Sequence, residues 1–286
     1  MPIEVDMLLS YSIPAVRQVL TRRETAFYAL SVGLGQDPED ECQLRYVDYS
    51  RDLQALPSMA LVLAHPGFWL ADPLSGVDAT QVVHGEQELT LHAPLPVEGA
   101  LVSETIIVGL VDKGAGQGAL LYTRKKLIDE VSGSLIASTL NTTFIRGGGG
   151  FGGSSGPLKS SHKPPAGDPD WVVDLPTRAE QALYYRMNGD DNPLHADPSV
   201  ATRAGFRRPI LHGLCTFGVV CHALVRTLAD YDATRLRSMS LRFSSPVYPG
   251  ETIRSEIWRD GSFQARVVER DALVVSNGIA SVGALA

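Results

Sequence analysis

Residues 20–33, LTRRETAFYALSVG, recur in outline at residues 176–189, PTRAEQALYYRMNG. The offset is a constant 156 positions: Thr21 lies over Thr177, Arg22 over Arg178, Glu24 over Glu180, Ala26 over Ala182, Tyr28 over Tyr184 and Gly33 over Gly189. A repeat at that spacing restricts the chain to one unit used twice. Each copy opens T-x-x-E, the pattern in which a Thr hydroxyl and a Glu carboxylate satisfy each other's backbone N–H groups at a helix start. Each ends in Gly, the residue preferred just past a helix. Both halves are therefore expected to open with a short capped helix.

A second echo extends the repeat. Residues 89–114 resemble residues 241–261: an alternating strand meets Pro94 or Pro246, turns at Gly99 or Gly250, and enters another alternating strand. The runs ALLYTRKKLID, LIASTLNTTFI, SFQARVVERD and ALVVSNGIASV add further strands. Long antiparallel strands with few helices make each half α+β. Residues 211–230, LHGLCTFGVVCHALVRTLAD, form a helix apolar on two faces, which is expected to lie wrapped in a sheet. Between the halves runs GGGGFGGSSGP, where Gly148, Gly150 and Gly153 fit G-x-G-x-x-G. That pattern binds phosphate when it opens a helix. Ser, Pro and Lys follow it here, so an inter-domain linker is expected. The expected division is 1–146, a linker at 147–166, and 167–286.

Bulk properties narrow the function. In 286 residues with a net charge of −7, no Lys/Arg cluster forms a basic stripe, which argues against nucleic acid as a partner. Cys42, Cys215 and Cys221 are odd in number and lack C-x-x-C spacing, so neither disulfides nor structural zinc are expected. No segment approaches the ~20 apolar residues of a membrane span. The opening MPIEVDMLLS has no basic stretch followed by an apolar run. A cytoplasmic protein without a membrane partner is expected.

The halves part after the shared glycine. The first continues LGQDPEDE, the second DDNPLHADP, so only the second carries an acid and a histidine there. Pro193 turns the chain between Asp190 and His195, which lets both side chains converge on one water. A carboxylate and an imidazole supply the proton acceptor and donor that water addition needs, and Asn192 can orient either group. The competing reading is an ordinary polar loop with an Asn-Pro turn. Asp197, before Pro198, reads as a helix N-cap, and Asp191 as a solvated charge. Gly213 either lets a ligand approach open N–H groups of the helix start, as in an oxyanion hole, or permits tight helix packing. His212 is either a second acid/base or a structural hydrogen-bonder. Cys215, within the apolar helix, reads as core. Arg203, Arg207 and Arg208 either meet a phosphate-bearing substrate or are solvated.

Residues 184–218, YYRMNGDDNPLHADPSVATRAGFRRPILHGLCTFG, closely resemble the signature of the R-specific 2-enoyl-CoA hydratases, the MaoC-like group. Gly189, Asp190, Asn192, Pro193 and His195 carry its G-D-x-N-P-x-H pattern. HGEQELTLHAPLP from His84, DKGAG from Asp112 and GGGGFGG resemble the hydratase part of peroxisomal multifunctional enzyme type 2. The resemblance implies a double hot-dog fold: two tandem units, each a long helix wrapped by an antiparallel β-sheet. The first unit would house the acyl chain and the second would carry the catalytic loop. It implies that Asp190 and His195 activate water, that Asn192 supports them, and that the Gly213 N–H binds the thioester oxygen. Gly189, His212, His84 and Arg208 would contact substrate. The implied reaction is reversible hydration of trans-2-enoyl-CoA to (3R)-3-hydroxyacyl-CoA. The implied partner is an acyl-CoA thioester, with no metal and no separate cofactor because CoA belongs to the substrate, in a homodimer. A thioesterase or a non-catalytic acyl-CoA-binding protein on the same fold are the alternatives.

Overall fold

A computed structural model describes residues 3–156 and 162–283. The N-terminal half runs α1 (Val5–Ser10), β1 (Val16–Leu20), α2 (Arg22–Ser31), α3 (Glu41–Val47), β2 (Val82–Leu91), β3 (Gly99–Asp112), β4 (Ala119–Asp129), β5 (Leu135–Ile145) and β6 (Ser154–Ser155). The C-terminal half runs β7 (Trp171–Pro176), α4 (Gln181–Tyr185), α5 (Pro198–Arg203), α6 (Gly213–Leu228), β8 (Leu236–Phe243), β9 (Thr252–Ile257), β10 (Ser262–Val267) and β11 (Ala272–Val282).

All strands join one antiparallel sheet in the order β1-β3-β4-β5-β2-β8-β11-β10-β9-β7, with β6 beside β3. Read from its outer edge, the first half follows β1-β3-β4-β5-β2 and the second follows β7-β9-β10-β11-β8. The orders are identical element for element, so the duplication legible in sequence is also one of topology. The units meet where β2 pairs with β8, Glu86 opposite Arg242 and Leu89 opposite Met239. The expected α+β double hot-dog architecture is met.

One part of that expectation needs correction: among the described residues, only the C-terminal unit has a long helix. From Cys215 to Val225, every residue of α6 is buried. Its counterpart in the first unit is a 3-10 turn, Pro57–Leu61, wholly buried and packed against α6 and β2. A short turn leaves carbonyls without intrahelical donors. Lys125 of β4, 5% exposed, supplies them, its ammonium donating to the carbonyls of Ala60 (3.0 Å), Leu61 (2.9 Å) and Leu63 (2.8 Å).

The second capping box is also absent. Thr21 and Glu24 cap α2 reciprocally as expected. Glu180 flanks α4 without a side-chain cap. Thr177 faces the opposite way: its hydroxyl donates to the Glu251 carbonyl and accepts from the Gly250 N–H, tying β7 to the turn before β9. A tertiary partner has displaced the local one.

The glycine-rich stretch is packed at its start. The Asp112 carboxylate accepts N–H groups from Gly114 (2.8 Å), Gly150 (2.8 Å) and Gly152 (2.7 Å), which holds it below its ordinary range. A carboxylate thus fills the anion-binding nest that the glycines form, and the chain passes into β6, not into a helix. Of the expected linker, residues 157–161 lie outside the described residues, as do 1–2 and 284–286 of the expected units. Among the described residues, no helix is long and apolar enough to cross a membrane.

Candidate active site

The loop between α4 and α5 is shaped by its own side chains. Gly189, at φ +101°, closes the turn Arg186–Asn188 in a left-handed conformation that other residues adopt at a cost. The Asn192 side chain accepts the Leu194 N–H at 3.0 Å, capping a second 3-10 turn, Pro193–His195. Asp190 Oδ1 accepts the Asn192 N–H at 3.3 Å. Asn192 thus orients the loop that carries Asp190 and His195.

His195 is 9% exposed, and its Nδ1 lies 2.9 Å from the Ile210 carbonyl. A carbonyl only accepts, so Nδ1 carries the proton and the neutral ring has its lone pair at Nε2. Burial, and then the Arg186 charge, lower the His195 pKa; the Ile210 carbonyl and Asp190 oppose them.

His212 caps α6 in position only, since its side chain makes no capping bond. Its Nε2 instead lies 3.3 Å from the backbone carbonyl of Asp190, while the buried Nδ1 has no partner among the described residues. Burial above all, then His195 and Arg186, push its pKa down to about 2. One ligand-type atom from each of Asp190, His195 and His212 lies within 4.8 Å of the others. The His195 and His212 rings stack with centroids 3.8 Å apart and planes at 29°.

Two glycines of α6 differ in purpose. A Cβ on Gly213 would have the Phe243 ring as its nearest neighbour at 3.5 Å, an ordinary contact. On Gly218 it would strike a Val32 methyl at 2.6 Å. Tight packing is therefore the role of Gly218, while Gly213 begins the helix with its N–H uncapped and the positive dipole end exposed.

His84 reaches this region through a β-bulge. Register shifts between His84 and Glu86 at Gly85, where a Cβ would sit 3.1 Å from the Thr142 carbonyl. The bulge turns the His84 ring edge-on to Phe243, centroids 4.8 Å apart, with Asn141 3.2 Å from Nε2. Burial drives its pKa to about 4, and Asp190 acts against that. The expected residues Asp190, Asn192, His195, His212, Gly213 and His84 thus gather at one place, with Gly189 as the hinge beside them.

Arg208 is exposed, donates to the Pro249 carbonyl at 3.1 Å and lies over Tyr248, as does Arg207. Asp191 is exposed in a loose pair with Arg186 at 3.4 Å. Asp197 accepts from the N–H groups of Ser199 and Val200 and caps α5, as expected. Cys215 is wholly buried, and burial pushes its thiol far up.

Four further residues belong to this region without being expected from the sequence. His65 follows the Lys125-bound turn. Burial and then Lys125 lower its pKa to about 4, and Asp190 acts against them. Arg186 lies near both stacked histidines, and Tyr185 packs on His212 at 4.9 Å. Ser31 reaches the loop from the other unit. Tyr185 and Arg186 lie within the signature at residues 184–218, whereas no local signal marks Ser31 or His65.

Two family models match the chain, one in each half. Residues 160–280 match the model of the MaoC like domain, and residues 19–147 match that of the MFE-2 hydratase 2 N-terminal domain. The chain is 42% identical to 3-hydroxyacyl-thioester dehydratase Y of Mycobacterium tuberculosis, over 90% of this chain and 88% of that protein. It is 36% identical to the peroxisomal enoyl-CoA hydratase 2 of Arabidopsis thaliana, over 95% and 93%. The crystal structure of a MaoC-like dehydratase from Phytophthora capsici superposes with a TM-score of 0.85 at 32% identity, covering 99% of this chain and all of that one.

Proposed function

Because the chain belongs to the MaoC-like family, in the two-unit form shared with enoyl-CoA hydratase 2, we propose that it reversibly hydrates trans-2-enoyl-CoA to (3R)-3-hydroxyacyl-CoA. The observation that carries this reading is the Asp190 carboxylate beside a His195 whose Nδ1 is committed to Ile210. A neutral imidazole with a free Nε2 is the state a general base requires.

A water held between Asp190 and His195 gives up a proton as its oxygen bonds to C3. The double-bond electrons move through C2 to the thioester oxygen, where the open N–H of Gly213 meets the negative charge. That charge collapses back as C2 takes a proton from the Asp190/His195 pair, so one water is added in total. Delivery from one face makes the addition syn. The CoA thioester polarises the alkene itself, and CoA enters as part of the substrate. The acyl chain is assigned to the N-terminal unit, where a 3-10 turn stands in place of a long helix. The protein is proposed to act in the cytoplasm as a homodimer.

Incubation with crotonyl-CoA tests the reading, following absorbance of the conjugated thioester beside a free-thiol assay and chiral analysis of the product. Loss of conjugation without thiol, giving the 3R alcohol, is expected. Thiol release without hydration would transfer the site to thioester hydrolysis.

A further inference from the structure

Ser31, the last residue of α2, belongs to the unit that lacks the catalytic loop, yet it is wholly buried at that loop's base. Its hydroxyl donates to the Tyr28 carbonyl at 2.7 Å and accepts from Asn188 Nδ2 at 2.8 Å. The same Asn188 amide nitrogen donates to the Tyr185 carbonyl at 2.9 Å. The Ser31 carbonyl accepts from the Gln181 side chain of α4 and from Cys215 Sγ of α6 at 3.6 Å. One residue thus ties together the helix before the loop, the residue two places ahead of Asp190, and the helix that presents Gly213.

The geometry points to Ser31 as a positioning residue for Asp190, acting across the unit boundary through Asn188. Beyond Asn188 the chain has one free hinge, Gly189, before Asp190. Downstream, Asp190 is held by the Asn192 N–H and by His212 at its carbonyl. Without Asn188 anchored, the glycine would let the upstream side of the loop swing. A reacting group displaced by about 1 Å can lose ~10²-fold in rate. The duplication adds an independent observation. The position corresponding to Ser31 in the second copy is Met187, which is 71% exposed and makes no such contact. The serine contact therefore exists in one direction only, from the unit without chemistry to the unit with it.

This inference rests on the hydratase reading, so its test needs a readout that survives if that reading fails. Ser31→Ala, Asn188→Ala and the double variant are compared by steady-state kinetics with crotonyl-CoA and by amide hydrogen exchange across residues 186–196. Each single variant is expected to lower kcat about 10-fold with KM changed less than about twofold. The double is expected to be no worse than the poorer single, because both remove the same bond. Exchange in the loop should rise about 10-fold in all three while α6 is unchanged. Additive losses, unchanged kcat, or faster exchange spread equally through α6 would overturn the proposal and leave Ser31 a core residue. If the wild type hydrates no enoyl-CoA, the proposed function falls, and loop-confined exchange still decides whether Ser31 positions Asp190. Should Ser31→Ala fail to fold, the half-buried Asn188→Ala carries both measurements alone.

Discussion

His195 and His212 lie face to face, 3.8 Å between ring centroids, each bound at one nitrogen by a backbone carbonyl: Ile210 for the first, Asp190 for the second. Two imidazoles in such contact resist protonation together, because a first positive charge opposes a second. Burial acts in the same direction on both.

The pH dependence follows from this pair. His195 must be neutral to accept a proton, and its pKa is lowered from 6.5. The acid limb of kcat/KM is therefore expected below pH 6.5, with activity full above it and lost as pH falls through the depressed value. Stability shares the sign. His84 and His222 fall to about 4 and His212 to about 2, so the unfolded chain takes up protons first. Stability should decline as pH drops from about 6.5 toward 4. A pH–rate profile bracketed by circular dichroism at each pH checks both. An acid limb centred above 6.5 would contradict a neutral His195.

The three acids of the loop should separate cleanly. Asp190→Asn removes a reacting group and is expected to lower kcat by 10²-fold or more, with His195→Gln behaving alike. Asp197→Ala removes the α5 cap, lowering the melting temperature and leaving kcat near wild type. Asp191→Asn disturbs only an exposed pair and should change neither. Thermal melts beside crotonyl-CoA kinetics distinguish the three; a kcat loss for Asp197→Ala rivalling that of Asp190→Asn would refute the division.

Lys125 should matter to stability more than a lone lysine usually does. Lys125→Met leaves three buried carbonyls of the turn before His65 without their donor. Removing a buried ammonium, whose pKa burial pulls down to about 7, offsets part of that loss. Unsatisfied buried acceptors cost about 1–3 kcal/mol each, so a net destabilisation of about 2–4 kcal/mol is expected. Urea unfolding monitored by tryptophan fluorescence measures it, and an unchanged midpoint would show that the turn holds itself.

What could be read without the structure was what local pattern determines. Alternation located β4, β5 and β11, and apolar spacing located α6 to within two residues at either end. The Asp190/His195 loop and the Asp197 cap were equally local. The failures share one cause. Thr177 fits a capping box, yet Glu251, 74 positions away, takes its hydroxyl. The glycine stretch looks like linker until Asp112 is seen inside it. The missing helix of the first unit is replaced by a turn whose carbonyls depend on Lys125, more than 60 positions later. Ser31 serves a loop in the other unit. Partners remote in sequence leave no periodic trace.

The proposed oxyanion donor can be tested without disturbing the helix, because Gly213 stands at the first position of α6. Proline is favoured there, its missing N–H being one that no intrahelical carbonyl would use. The preceding residue, His212, is at φ −58° and ψ 138°, the extended conformation a following proline requires. The nearest atoms to a Cβ placed there belong to Phe243, at an ordinary 3.5 Å. Gly213→Pro should therefore melt near the wild type while kcat falls about 10²–10³-fold, the usual cost of one lost oxyanion donor. Gly218→Ala is the contrasting control. Its methyl would collide with Val32 at 2.6 Å, so it should lose about 1–3 kcal/mol of stability. Any fall in its activity should track the unfolded fraction. If Gly213→Pro keeps full kcat, the N–H is not the oxyanion donor, and the charge on the thioester oxygen must be met by another group of the site.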